Sequence, residues 1–170
     1  VVRGGKIGIV GASGTGIQQV SCLIDQLGEG ISHAIGTGGH DLSEAVGGIT
    51  MLSGLELLAE DPATDVIVLI SKPPAESVAQ KVIAAAQSVK KPVIINFLGA
   101  AQTNEPQGEH NVYRATTLED AAYLAVDVLK NQQGKGIVLV EQGKVRACNY
   151  CLGRYACSQY QEYINAGLID

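Results

Sequence analysis

Lys6-Ile7-Gly8-Ile9-Val10-Gly11-Ala12-Ser13-Gly14-Thr15-Gly16 sets a short apolar run against a glycine-rich turn, and Ile17, Val20, Leu23, Ile24 and Leu27 follow at helical spacing. The order reads as a buried strand over 6–10, a tight turn, and an amphipathic helix that starts near Ile17 and is stopped by Gly28. Such a turn suits an anion. Glycine admits positive φ and lets a ligand approach the backbone without meeting a Cβ. The first N–H groups of the helix and the positive end of its dipole point into the turn. Ser13 and Thr15 add hydroxyls, so the natural guest is a phosphate, a carboxylate or an acyl phosphate. Glycine in strand-to-helix turns also serves close packing alone, and both readings fit these residues.

Outward from this stretch, strand-like and helix-like segments alternate, the pattern of βαβ units with right-handed crossovers. A second strand is expected over 31–35, followed by the glycine turn Gly36-Thr37-Gly38-Gly39-His40-Asp41 and a helix over about 51–60. Val66-Ile67-Val68-Leu69-Ile70 is unbroken apolar sequence, as in a central strand buried on both faces. Ser71-Lys72-Pro73-Pro74 ends it, a helix follows over 76–89, and a fourth strand over 93–97. The stretch 98–111 is polar and without period, a loop longer than usual. A short fifth strand over 112–115 leads to Thr116-Thr117-Leu118-Glu119, which has the form of a capping box opening a helix to about Lys130. The expected fold is α/β, a doubly wound parallel sheet of five strands. The expected domains are 1–131 and a C-terminal extension over 132–170, with a hairpin or added strand and a helical tail.

The chain of 170 residues has no Trp, and Phe97 is its one Phe, so the core must be aliphatic. A net charge of −5 with scattered basic residues argues against a nucleic-acid partner. No apolar run is long enough to span a membrane and no signal segment opens the chain, so the expected location is cytoplasmic. The first residue is Val1 rather than Met, which is expected of a piece of a longer protein. Four cysteines at this length do not read as a secreted disulfide framework. Cys148-Asn149-Tyr150-Cys151 with Cys157 fits incidental thiols or a redox-labile pair better than a metal site, and no metal is expected.

In a doubly wound sheet, ligands collect outside the carboxyl ends of the strands. The turns after Gly11 and Gly36, the 71–74 turn and the loop after Phe97 therefore share one rim. Ser13, Gly14 and Thr15 are the first anion contacts. Thr37, Gly38 and Gly39 form either a second nest of N–H groups or a plain tight turn. His40 and Asp41 can face the same cleft, with His40 either catalytic or simply a surface residue. Lys72 can neutralise a phosphate or stand solvated. Asn96 can bond a ligand or cap its own turn. His33, inside an apolar strand, reads as a satisfied core histidine.

Four motifs in order carry a resemblance: residues 5–16, Gly36-Thr37-Gly38-Gly39-His40-Asp41, Ser71-Lys72-Pro73-Pro74-Ala75-Glu76 and Phe97-Leu98-Gly99. Over residues 4–131 the chain resembles the FdrA family, relatives of the succinyl-CoA synthetase α subunit. The resemblance implies a flavodoxin-like CoA-ligase domain, the second domain of the α-subunit type, ordinarily preceded by a separate CoA-binding domain. Succinyl-CoA synthetases carry a phosphorylated histidine in a Gly-His-Ala-Gly-Ala setting after the fourth strand. The matching loop here has only His110, in Gly108-Glu109-His110-Asn111, and the phosphohistidine role does not carry over. The family further implies either acyl-CoA synthetase chemistry or oxamate carbamoyltransferase chemistry, which share a mixed anhydride of phosphate. Loss of the phosphohistidine disfavours an NTP-driven ligase more than a carbamoyl transfer. The implied partners are a small phosphorylated metabolite, CoA as a possible ligand, and other domains or subunits of an oligomeric enzyme. A non-catalytic scaffold or regulatory module is the reading from a different class, because no paired general acid and base is evident.

Overall fold

The computed structural model describes residues 2–97 and 111–132. Nearly all of them belong to one compact unit, Val1–Leu129, and that unit is the one described. The expected segments over 137–148 and 160–166, Cys148, Cys151, Cys157 and His110 lie outside the described residues.

Five parallel strands stand in the order β2-β1-β3-β4-β5. They are β1 (Gly4–Gly11), β2 (Ile31–Gly36), β3 (Val66–Ser71), β4 (Val93–Phe97) and β5 (Val112–Arg114), with helices α1 (Gly14–Gln26), α2 (Ile49–Glu60), α3 (Glu76–Ser88) and α4 (Leu118–Gln132). The chain moves from β1 outward to β2, then crosses back over β1 to β3. The strand order therefore reverses between β1 and β3, which puts the crevice of the sheet at their carboxyl ends.

Alternation along each strand sorts the core into two layers. Ile7, Ile9, Val66, Val68, Ile70 and Ile94 face Val20, Leu23 and Ile24 of α1 and Ala121, Ala125 and Leu129 of α4. Val10, Ile67, Leu69, Val93 and Ile95 face Met51, Leu55 and Leu58 of α2 and Val78, Val82 and Ala86 of α3. Every residue of β3 is buried, as its unbroken apolar run requires. Burying each Ile, Leu or Val contributes roughly 1.5–3 kcal/mol, so these two layers hold the sheet and the rim loops ride on it. The α2 helix lies unusually close to β1, since a Cβ on Gly54 would meet Val10 Cγ1 at 2.8 Å and one on Gly8 would meet Leu58 Cδ1 at 2.8 Å.

Three local expectations change. Helix α1 begins at Gly14 rather than near Ile17, because Ser13 caps it and draws the glycines into the first turn. The box before α4 is shifted by one residue: Thr117 Oγ1 accepts from Asp120 N at 3.0 Å, and Asp120 Oδ2 accepts from Thr116 N at 2.8 Å, so Asp120 fills the place expected of Glu119. His33 is not a core histidine. It sits on the edge strand β2 with its side chain 56% exposed, and Nε2 lies 3.4 Å from Asp61 Oδ2. No helix among the described residues is long and apolar enough to cross a membrane.

Candidate anion site at the carboxyl rim

The register places four residues in one row across the rim: Gly36 of β2 pairs with Gly11, Gly11 with Ile70, and Ile70 with Asn96. Ala12 N donates to Ile70 O at 2.9 Å, the last rung of the β1–β3 ladder, and α1 begins two residues later. Ser13 then takes an extended conformation (φ −127°, ψ 107°), and its Oγ accepts from Gly16 N at 3.1 Å. Ile17 N donates to Ser13 O at 2.9 Å, closing the first turn. The N–H groups of Gly14 and Thr15 have no acceptor available inside the helix. Both residues are exposed, no acidic residue stands in the first turn, and Ser13 Oγ lies 3.4 Å from Thr15 Oγ1. Two backbone donors and two hydroxyls thus surround the positive end of α1.

The glycines of this turn serve space rather than unusual dihedrals, for none of 11, 14 and 16 is among the glycines with positive φ. A Cβ on Gly11 would meet Ile17 Cγ1 at 2.8 Å, and one on Gly16 would meet Ile70 Cγ2 at 3.0 Å. Gly14 differs, because a Cβ there would meet nothing within 4 Å among the described residues. Gly11 and Gly16 let helix and strand pack closely; Gly14 leaves its N–H approachable from outside.

The second glycine turn is built differently. Thr37 N donates to Gly11 O at 2.9 Å, so its N–H is committed to the sheet, and Gly38 (φ 83°) starts a tight turn that Asp41 N closes on Gly38 O. Asp41 does not face the cleft. It is buried, and its two carboxylate oxygens accept from Thr50 N at 2.9 Å and Met51 N at 2.8 Å. Helix α2 has Gly48 in the left-handed conformation at its cap and no capping side chain of its own, so Asp41 answers its dipole from outside. Nothing in a local pattern reveals this pairing; the lone acidic residue after a glycine turn is its only sequence trace. His40 stays exposed beside it.

Lys72 follows Ser71 at the end of β3, exposed and with no ion pair among the described residues. Asn96 is fully buried, and its Nδ2 donates to Ala115 O at 3.0 Å and Thr117 O at 3.1 Å, binding the end of β4 to the start of α4. Its Oδ1 has no hydrogen-bond partner among the described residues. The rim therefore brings Ser13, Gly14, Thr15 and Lys72 to the β1–β3 crevice, sets Asn96 one strand further, and leaves His40, Gly38 and Gly39 on the β2 side.

The groups with displaced pKa values lie away from the rim. Asp25 is held below the usual carboxylate range by bonds from the Arg3 backbone and guanidinium. Asp61 is held low by Thr64 Oγ1 and Ala63 N, with His33 and Lys91 nearby. Both fasten chain segments and take no part in the site.

Five parallel strands covered on both faces, with a glycine-lined helix start at the switch point, define a doubly wound α/β domain, whose ligands as a class gather at that edge. Within that class the model for the CoA binding domain matches residues 3–99, and the chain belongs to that family, the one that the resemblance had placed in a separate, preceding domain. It is 50% identical over 125 residues to the uncharacterized protein YahF of Escherichia coli K12, covering 74% of this chain and 24% of that one. It is 27% identical to the α subunit of an ADP-forming succinate–CoA ligase from Methanothermobacter thermautotrophicus, covering 81% of this chain and 44% of that subunit. A malate–CoA ligase α subunit from Methylorubrum extorquens is 30% identical over 90 residues, which is 53% of this chain and 29% of that one. The chain thus spans less than half the length of these relatives. PH0766 from Pyrococcus horikoshii OT3 shares the fold, with a TM-score of 0.60 and 18% identity over 79% of this chain and 37% of that one.

Proposed function

We propose that this chain is the phosphate-holding domain of an FdrA-like assembly that transfers a carbamoyl or acyl group from a mixed anhydride of phosphate, with carbamoyl transfer of the oxamate carbamoyltransferase kind as the leading case. The observation that carries the proposal is the first turn of α1: exposed N–H groups at Gly14 and Thr15, flanked by the Ser13 and Thr15 hydroxyls, with no acidic residue to answer the dipole. A phosphate dianion accepts from these donors, and Lys72 balances its charge. When a nucleophile attacks the activated carbonyl, the carbon–oxygen bond to phosphate breaks and charge grows on the departing phosphate. Fixed N–H groups stabilise that charge without reorganising. His40 is the residue proposed to take the proton of the nucleophile. The division at 131/132, cytoplasmic location and completion of the site by other domains or subunits belong to the same proposal.

A second reading has its own support. The CoA binding domain match and the two CoA-ligase α subunits favour a thiol acceptor. The rim suits the diphosphate of CoA: a Cβ on Gly14, Gly36, Gly38 or Gly39 would meet nothing within 4 Å, so backbone there is open to a bulky phosphate group. CoA, when bound, supplies a thiol to accept the acyl group, and Thr15, Gly38 and Gly39 are the residues proposed to hold it.

Calorimetric titration with inorganic phosphate, carbamoyl phosphate and CoA, repeated on Gly14→Ala, tests the proposal. The added methyl enters open space and suits a helix, so the fold is kept while the approach to the Gly14 N–H is narrowed. Phosphate and carbamoyl phosphate binding weakened several-fold is the expected result. CoA binding alone moves the weight to the ligase reading, and binding of none of the three sinks both.

A further inference from the structure

We infer that Asn96 reads the carbonyl end of the ligand and selects a carbamoyl over an acyl group; this rests on the phosphate reading of α1. The Asn96 side chain has two amide protons, and both are used, on Ala115 O at 3.0 Å and Thr117 O at 3.1 Å. Those two carbonyls fix which end of the amide is nitrogen, since an oxygen there would face two acceptors. The remaining Oδ1 is an acceptor only, it is buried, and it has no partner among the described residues. Buried acceptors without donors are rare and costly, and such an atom is best explained by a donor that arrives with a ligand.

Its position fits one kind of ligand. Asn96 pairs with Ile70 and shares its face of the sheet, as Ile94 does two residues earlier. The first turn of α1 crosses that same Ile70, for a Cβ on Gly16 would meet Ile70 Cγ2 at 3.0 Å. Trigonal geometry at Cγ turns Oδ1 away from the Ala115 and Thr117 carbonyls. The helix start and Asn96 thus flank one residue, Ile70. The phosphate end offers Asn96 only acceptor oxygens, so the donor must come from the other end. Carbamoyl phosphate has an NH2 group there. An alkyl acyl phosphate has carbon, which cannot donate and leaves Oδ1 unpaired.

The decisive experiment varies the ligand rather than the protein. Carbamoyl phosphate and acetyl phosphate differ by NH2 against CH3, and each is titrated into the unaltered chain alongside inorganic phosphate. Carbamoyl phosphate is expected to bind about tenfold tighter than acetyl phosphate, as for a site built to bond an N–H. Asn96→Ala is expected to bring that ratio to about one while inorganic phosphate affinity stays unchanged. Equal affinity for the two anhydrides in the unaltered chain, with inorganic phosphate still bound, overturns the role of Asn96 and leaves the α1 site standing. No binding of inorganic phosphate or of either anhydride overturns the α1 reading and this inference with it.

Discussion

Helices α1 and α2 both start at the carboxyl rim, and their first turns are finished in opposite ways. Helix α2 receives a buried carboxylate: Asp41, seven positions before the Gly48 cap, places one oxygen on Thr50 N and the other on Met51 N. Helix α1 receives one hydroxyl, Ser13 Oγ on Gly16 N, and leaves the N–H groups of Gly14 and Thr15 outward. A helix start that carries its own anion is a piece of scaffold. One that stops at a neutral cap retains an affinity for anions. The same glycine-rich signature in sequence thus stands before two different devices, and the proposed anion site is the first.

The contrast can be broken by substitution, and the largest effect is expected at Asp41. Asp41→Ala removes two charge-assisted hydrogen bonds and strands the N–H groups of Thr50 and Met51 at the start of α2, for an expected loss of about 3 kcal/mol in urea denaturation. Phosphate affinity in the folded fraction should stay the same. Ser13→Ala comes next, with a loss of about 1 kcal/mol typical of a hydroxyl cap and a several-fold drop in phosphate affinity by calorimetry. Equal stability losses at the two positions, or a loss of phosphate affinity confined to Asp41→Ala, would erase the distinction. Gly14→Ala sharpens it further, since stability is expected to rise by about 0.5 kcal/mol while phosphate binding falls.

The smallest effect is pH dependence away from the rim. Asp25 and Asp61 have folded pKa values below the ordinary carboxylate value of about 3.9, so each stabilises the fold above that value. That contribution is lost as pH falls from about 4 through the lower folded values. Asp61→Asn is therefore expected to flatten the decline of stability in acid, measured by thermal unfolding between about pH 2.5 and 5, while leaving phosphate binding at pH 7 unchanged.

Much of the architecture was legible because it depends on period and punctuation. Val66 to Ile70 could only be a strand buried on both faces, and the alternation of segments gave the parallel doubly wound sheet that the strand order displays. The rim turns after Gly11, Gly36 and Ser71 followed from that topology. What escaped was set by contacts distant in the chain. His33 looked internal because its neighbours are apolar, yet β2 is an edge strand and half of it faces outward. Gly14 to Gly16 have poor helix propensity and looked like loop, and the Ser13 cap overrode that preference. Asp41 looked like a cleft residue until its partners nine and ten positions on were visible. Asn96 reads in sequence as a ligand contact or a turn cap; its nitrogen bonds Ala115 and Thr117 ahead of α4, and its oxygen has no partner among the described residues.

One bond on the rim has a practical use. Ala75 N donates to Leu42 O at 3.1 Å, joining the turn that carries Lys72 to the segment that carries Asp41. That amide is a built-in gauge. Its hydrogen-exchange rate and nitrogen chemical shift respond to any displacement of the lysine turn against the loop before α2, without a label and at a position that touches no ligand. Followed during a titration, it separates an anion that merely settles on α1 from one that also draws the neighbouring loops together.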